Sequence, residues 1–197
     1  MLRQRLKSGT AEGHRRLEEE LNLARTDQTR ETYVALLERF WGLYQPLEDR
    51  LLTVLERQWP GEFVHRGKLA SLSRDLLDLG HTHASLALLP CAIALPPCDT
   101  VTQALGVAYV LEGSTLGGQY LARHYAALLG LTPQFGARFF ASYGAEVPAM
   151  WQRFCALLNT FGESHHDHDV VVAAAQQTFA RMQDWLCERA QVVHGAS

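Results

Sequence analysis

Three glycines fall within six residues of a segment whose remaining pattern is helical. Residues 109–125 read Y-V-L-E-G-S-T-L-G-G-Q-Y-L-A-R-H-Y, with Gly113, Gly117 and Gly118 inside the run. A glycine in a helix interior costs roughly 1 kcal/mol relative to alanine. A helix that carries three of them needs a compensating contact. Gly113 and Gly117 are four residues apart and so share one helix face. A face without Cβ atoms lets a partner come close to the backbone. Two occupants fit that face: a second helix packed tightly, or a planar ligand.

The rest of the chain is patterned to support such a helix. Apolar residues recur at spacings of three and four throughout, and the strand-type alternation of period two is absent. The pattern predicts a first helix over 2–20. A second is capped by Asp27 or Thr29, carries Glu31 in its first turn and ends at Trp59-Pro60-Gly61. Its stripe of Tyr33, Leu36, Leu37, Phe40, Leu43, Tyr44, Leu47 and Leu51 marks a core face, and Pro46 is placed to bend it. A shorter helix is expected over 68–79, with Gly80 at its C-cap. Pro90, Pro96 and Pro97 break the segment 81–100 into loop or short turns. Asp99 and Thr100 then offer caps for a helix that runs into the glycine-rich segment and closes at Gly130. Thr132-Pro133 is expected to start a short helix, Pro148 another through about Phe161, and a last helix to span 169–193 with Val172, Ala175, Phe179, Met182 and Leu186 inward. The expected architecture is all-α, a single multihelical domain over residues 1–197.

Composition narrows the function. The net charge of −3 argues against generic binding to nucleic acid, which wants a basic surface. No apolar run is long enough for a membrane span, and the start, M-L-R-Q-R-L-K, turns polar at once. A cytoplasmic location is the expectation. Cys91, Cys98, Cys155 and Cys187 include no Cys-x-x-Cys pair and read as free thiols, with Cys155 and Cys187 in apolar helical stretches that suit a core. No P-loop, dinucleotide fingerprint or Ser-His-Asp signature is present.

Several histidines invite attention. His14 and Glu18 are four apart on the first predicted helix. A ligating imidazole commonly hands its second ring N–H to a carboxylate, and Glu18 is placed to receive it. The same pair also reads as ordinary decoration of a solvated helix. Lys7 lies two turns earlier on much the same face, within reach of an anionic ligand edge, and Arg3, Arg5, Arg15 and Arg16 make the neighbourhood basic. The run His165-His166-Asp167-His168-Asp169 suggests a metal site, but adjacent residues seldom converge on one ion, so a solvated loop with an N-cap aspartate is the expectation. His81 and His83 read the same way. Tyr109, Tyr120 and His124 border the glycine face and serve either packing or a ligand.

Together the two segments resemble the haem oxygenase family. The run Glu112-Gly113-Ser114-Thr115-Leu116-Gly117-Gly118-Gln119 is most similar to bacterial members, which often accompany phytochrome photoreceptors. The resemblance implies an all-α fold, haem as both substrate and oxygen-activating group, and cleavage of haem to biliverdin with release of carbon monoxide and ferrous iron. It implies that His14 ligates the iron with Glu18 behind it, and that Gly113, Gly117 and Gly118 form the distal platform over which oxygen reacts. Lys7, Tyr120 and Arg153 are the further haem contacts it suggests, Arg153 as a basic residue of a late helix. Electrons then come from a ferredoxin or reductase, since no flavin or nicotinamide motif is present, and the reaction supplies either bilin, as to a bacteriophytochrome or other bilin-binding photoreceptor, or iron. One position departs from the pattern. Many members carry an aspartate after the first distal glycine, and this chain has Ser114. That departure keeps a second reading open, a haem or bilin carrier of the same fold without turnover. A third reading is a helical metalloenzyme built on carboxylates and histidines.

Overall fold

The computed structural model describes residues 1–187, and among them the chain is helical with no strand beyond isolated bridges. The helices are α1 (Leu2–Leu21), α2 (Arg30–Gln58), α3 (Leu69–Asp78), α4 (His83–Leu86), α5 (Val101–Leu129), α6 (Arg138–Ala141), α7 (Val147–Ser164) and α8 (His168–Leu186), with a 3-10 turn at Gly144–Glu146. None is long and apolar enough to cross a membrane.

The caps explain where the long helices begin. Thr29 accepts from the Thr32 amide, while the Thr32 hydroxyl oxygen accepts from the Thr29 amide, so two orphan donors at the start of α2 are satisfied reciprocally. Thr100 and Gln103 repeat the device at α5. Gly130, with φ +68°, ends α5 in the left-handed conformation that glycine adopts without strain. Pro46 lies inside α2 without ending it. The predicted stripe of α2 is buried at Tyr33, Leu36, Leu37, Phe40, Leu43, Tyr44, Leu47 and Leu51.

The glycine-rich segment lies in the middle of α5, which is continuous through it. Its chief partner is α8, which also carries α1; α6, α2 and α7 pack around its remaining sides. Gly118 explains part of the glycine pattern. A Cβ there would lie 2.6 Å from the Phe140 carbonyl oxygen, a distance that real side chains do not tolerate. The next residue, Gln119, donates from Nε2 to the Ala141 carbonyl. So α6 and α5 meet backbone to backbone, and Gly118 answers to protein packing.

Three expectations need correction. Thr132-Pro133 starts no helix. Thr132 and Phe135 exchange backbone hydrogen bonds at 2.9 Å across a tight turn, and the buried Tyr33 hydroxyl donates to Gly136 O at 2.7 Å, which pins the segment. Gly136 has φ +77°, incompatible with a helix there. The short helix comes later, at Arg138, where Asp75 accepts from the amides of Arg138 and Phe139 and so caps it from another element. In α8 it is Val171 that is buried, while Val172 packs at the edge against Gly9; the predicted extension to 193 falls largely outside the described residues. Cys155 is buried as expected, but Cys187 is only half-buried; Cys91, Cys98 and Cys155 form no disulfide.

The side chains of the histidine-rich linker turn to protein partners. His165 stacks flat on Phe161 with ring centroids 4.0 Å apart, His168 Nε2 lies 2.8 Å from the Gly162 carbonyl, and Asp169 pairs with Arg5. Among the described residues no group of three potential ligands converges.

Replacing Gly118 by valine should destabilise the protein by about 1–3 kcal/mol through overpacking. For a chain of this size each kcal/mol lowers Tm by about 2–4 °C, which calorimetry reads. An unchanged Tm would show that α6 yields freely to α5.

Candidate functional site

A cavity of about 780 Å³ separates α1 from α5. That is the size of sites that hold a drug-sized ligand or cofactor. One wall is the face of α1 that carries Lys7, Thr10, Ala11, His14, Leu17 and Glu18, all at helical spacing. The opposite wall is α5, through Tyr109, Gly113, Ser114, Gly117, Tyr120 and Leu121. Aromatic and apolar side chains close the sides: Phe40 and Tyr44 from α2, Phe139 and Phe140 from the α6 turn, Trp151 from α7, Phe179 and Met182 from α8.

The glycines now separate by role. At Gly117 an added Cβ would meet no atom within 4 Å, so its bare backbone faces open space. At Gly113 a Cβ would touch the Trp151 ring at 3.6 Å, ordinary van der Waals contact. Gly113 and Gly117 therefore leave a flat, uncluttered strip of backbone along the cavity. Gly118 touches the cavity too, but its missing side chain makes room for Phe140.

Across the cavity, His14 Nδ1 lies 3.2 Å from the Glu18 carboxylate. When Nδ1–H donates to Glu18, the Nε2 lone pair is the one left for a ligand. The ring stands edge-on to Phe179, with centroids 5.7 Å apart and planes at 83°, which limits its rotation. The side chain remains 56% exposed, as a group bordering an open slot must be. Of the basic residues near it, Lys7 alone lines the cavity. Arg15 and Arg16 are engaged with Glu12 and Glu19, and Arg5 with Asp169. Glu12 is held down at about 2 by its hydrogen bonds to Arg15 and Arg16.

Arg153 does not reach the cavity. It pairs with Glu62, on the far side of Arg66. Nor does His124 face into it; the ring lies 3.1 Å from the Arg25 carbonyl and lies alongside Tyr120, which is 57% exposed at the cavity rim.

Behind the glycine face lies a buried polar cluster that the sequence did not announce. Glu112, one residue before Gly113, turns away from the cavity and receives Arg66 on one oxygen and the Tyr143 hydroxyl, at 2.8 Å, on the other. Lys68 Nζ donates to the Arg66 carbonyl at 2.7 Å, to Tyr143 Oη and, at 3.4 Å, to Glu112. Arg66 and Glu112 side chains are 2% and 6% exposed. Burial pulls the Lys68 ammonium below its ordinary range, and Glu112 opposes that shift. The Tyr143 phenol is pushed well above its ordinary range, first by burial and then by Glu112. Arg66 and Lys68 sit in H-R-G-K, a hydrophilic run that reads as an exposed turn. Only the tertiary fold shows that it is inside.

The cavity thus lies between an imidazole-bearing helix and a helix whose facing glycines carry no side chains. A family model described as Heme oxygenase matches residues 1–188. A heme oxygenase of Xanthomonas campestris is 30% identical over 167 residues, covering 82% of this chain and 92% of its own. Heme oxygenase PigA of Pseudomonas aeruginosa is 28% identical over 186 residues, covering 93% and 90%. Among solved structures, the NO- and CO-bound heme oxygenase of Neisseria meningitidis superposes with a TM-score of 0.80 at 22% identity, over 100% of this chain and 95% of that one. The heme oxygenase of Leptospira interrogans gives 0.74 at 20% identity, over 95% and 98%. The chain belongs to the haem oxygenase family, and it is a haem-degrading enzyme.

Gly117→Leu should fold normally, since its side chain points into open space, yet lower hemin affinity by at least about 100-fold by filling the slot. Circular dichroism and a Soret titration check the two halves. Arg66→Ala should instead cost about 3–5 kcal/mol of stability, because it strands Glu112 in the interior; denaturant unfolding reads that loss.

Proposed function

We propose that haem lies in the slot between α1 and α5, ligated by His14 and covered by the bare backbone of Gly113 and Gly117. The observation that carries this reading is the pairing of an imidazole whose Nδ1 is tied to Glu18 with a Gly117 face on which a Cβ would touch nothing. The donor set suits the group: an imidazole nitrogen, apolar and aromatic flanks for a porphyrin, and the Lys7 ammonium for an anionic edge. Haem supplies the oxygen-activating chemistry and is itself the substrate, opened to biliverdin with release of carbon monoxide and ferrous iron.

The chain's own contributions are then separable. Glu18 holds the His14 tautomer and orients the ring. Phe179 sets the ring plane. Gly113, Ser114 and Gly117 keep the distal side low, so that a small ligand has room along the α5 backbone. Tyr120, at the exposed rim, and Lys7 border the open edge. Arg153 belongs to the ion pairs around Glu62 and is not assigned to haem. The whole chain acts as one domain in a reducing cytoplasm. Its electrons come from a separate ferredoxin or reductase, and the bilin goes to a recipient such as a photoreceptor.

Mixing the purified protein with hemin, then with ascorbate in air, tests the reading. The Soret band should form at one equivalent and then give way to bilin absorption. A stable Soret band under reduction would favour the carrier. His14→Ala should lose the ferric spectrum of the wild type and its turnover, and recover part of both when imidazole is added. Wild-type spectrum and rate in that variant would remove His14 from the site.

A further inference from the structure

Two runs of aromatic rings lead away from the cavity. One leaves through Phe140, whose ring meets Tyr33 and Tyr125 behind it. The other leaves from Trp151 of α7. The edge of its indole would lie 3.6 Å from a Cβ at Gly113, so it borders the bare α5 backbone itself. Tyr109 of α5 stands beside it, with ring centroids 5.6 Å apart. From Trp151 the centroids step 5.9 Å to Phe154, 6.4 Å to Phe63 and 6.0 Å to Trp59. Phe154 and Phe63 are buried, and Trp59 is half-buried at the end of α2.

The two runs differ in what they can carry. A tyrosine gives up an electron readily only when its phenol proton leaves too. Tyr33 donates to the Gly136 carbonyl at 2.7 Å and Tyr125 to the Leu23 carbonyl at 2.8 Å, and a backbone carbonyl does not take a proton over. A tryptophan can lose its electron first and its proton later, so Trp151 and Trp59 need no buried base. Between them the Arg66 guanidinium stands over Phe63 at 5.4 Å and over Phe154 at 5.8 Å. A cation held over a ring makes it harder to take an electron from that ring. An electron vacancy therefore rests on the two indoles and not on the phenylalanines.

We propose that Trp151 and Trp59 form a relay that carries oxidising equivalents from the haem cavity to the molecular surface. The inference rests on the haem reading above. A site that activates oxygen must also contain misdirected oxidation, and the relay gives a stray oxidising equivalent an exit. An alkyl hydroperoxide and ascorbic acid close the electron balance. The peroxide takes two electrons and two protons at haem, breaks its O–O bond and leaves as an alcohol and water. Each electron comes from Trp151, is replaced there from Trp59, and is replaced at Trp59 by ascorbic acid, which becomes dehydroascorbic acid and releases two protons.

Peptide mass spectrometry after treatment with tert-butyl hydroperoxide reads the relay directly. Without ascorbate, Trp59 should be oxidised in the hemin-loaded protein and intact in the hemin-free protein given the same peroxide. Ascorbate should protect it. Trp41 and Trp185, outside the run of rings, should stay intact throughout. Trp151→Phe should lose most of the Trp59 oxidation. Trp59→Phe changes a residue away from the cavity, so it should take up hemin as the wild type does, and its damage should move to Trp151 and to the porphyrin, seen as faster loss of the Soret band under peroxide. That variant decides the matter even where Trp151→Phe folds poorly. Trp59 left intact in the loaded wild type, or oxidised equally without hemin or in Trp151→Phe, would overturn the proposal, as would a Trp59→Phe protein that bleaches no faster. Failure of the wild-type chain to take up hemin would instead sink the function reading, and is seen first in the Soret titration.

Discussion

The rotation of α5 about its own axis is the constraint on which the cavity depends. A turn of that helix by one residue would replace bare backbone with side chains along the slot. Three contacts on its buried side prevent it. Glu112 is fixed by Arg66, Lys68 and Tyr143, Gly118 lies against the Phe140 carbonyl, and Gln119 holds the Ala141 carbonyl. Residues 112, 118 and 119 are thus tied to protein, which leaves 113, 114 and 117 turned to the cavity. A buried charge pair contributes little net stability against apolar residues of the same shape, yet it penalises misplacement heavily. Here that asymmetry suits a helix whose orientation matters more than its strength.

Much of this was legible from residue spacing. The periodicity of α2 named its core stripe, the cap candidates at each long helix included the true caps Thr29 and Thr100, and Gly130 named the end of α5. The glycine face could be recognised because a helix interior tolerates such residues only for a reason, and His14 with Glu18 could be recognised because i and i+4 side chains meet. The question of what the glycine face accommodates had two answers, and the structure gives both: Gly118 accommodates protein, Gly117 faces the slot.

What stayed hidden was set by contacts between distant residues. Arg66 and Lys68 lie in a run that looks solvated, and only their pairing with Glu112, more than forty positions away, makes burial tolerable. The turn at 131–137 looked helical because Thr-Pro is a common helix start, but the Tyr33 hydroxyl, over a hundred positions away, claims the Gly136 carbonyl. Arg153 fitted a pattern of basic residues on a late helix, yet Glu62 takes it. Tyr44 read as one more core aromatic, since nothing local to α2 says that it lines the cavity.

The two walls of the slot share one support. α8 is the chief partner of α5 and also carries α1, while α6, α2 and the buried ions hold α5 from its other sides. The contacts of α1 with α8 include Gly13 against the Phe179 ring, Gly9 against Val172, Gln176 Nε2 donating to the Gly9 carbonyl at 2.7 Å, and an exposed ion pair between Arg5 and Asp169. A larger residue at Gly9 or Gly13 therefore disturbs the wall that carries His14 without touching the Arg66–Glu112 pair that orients α5.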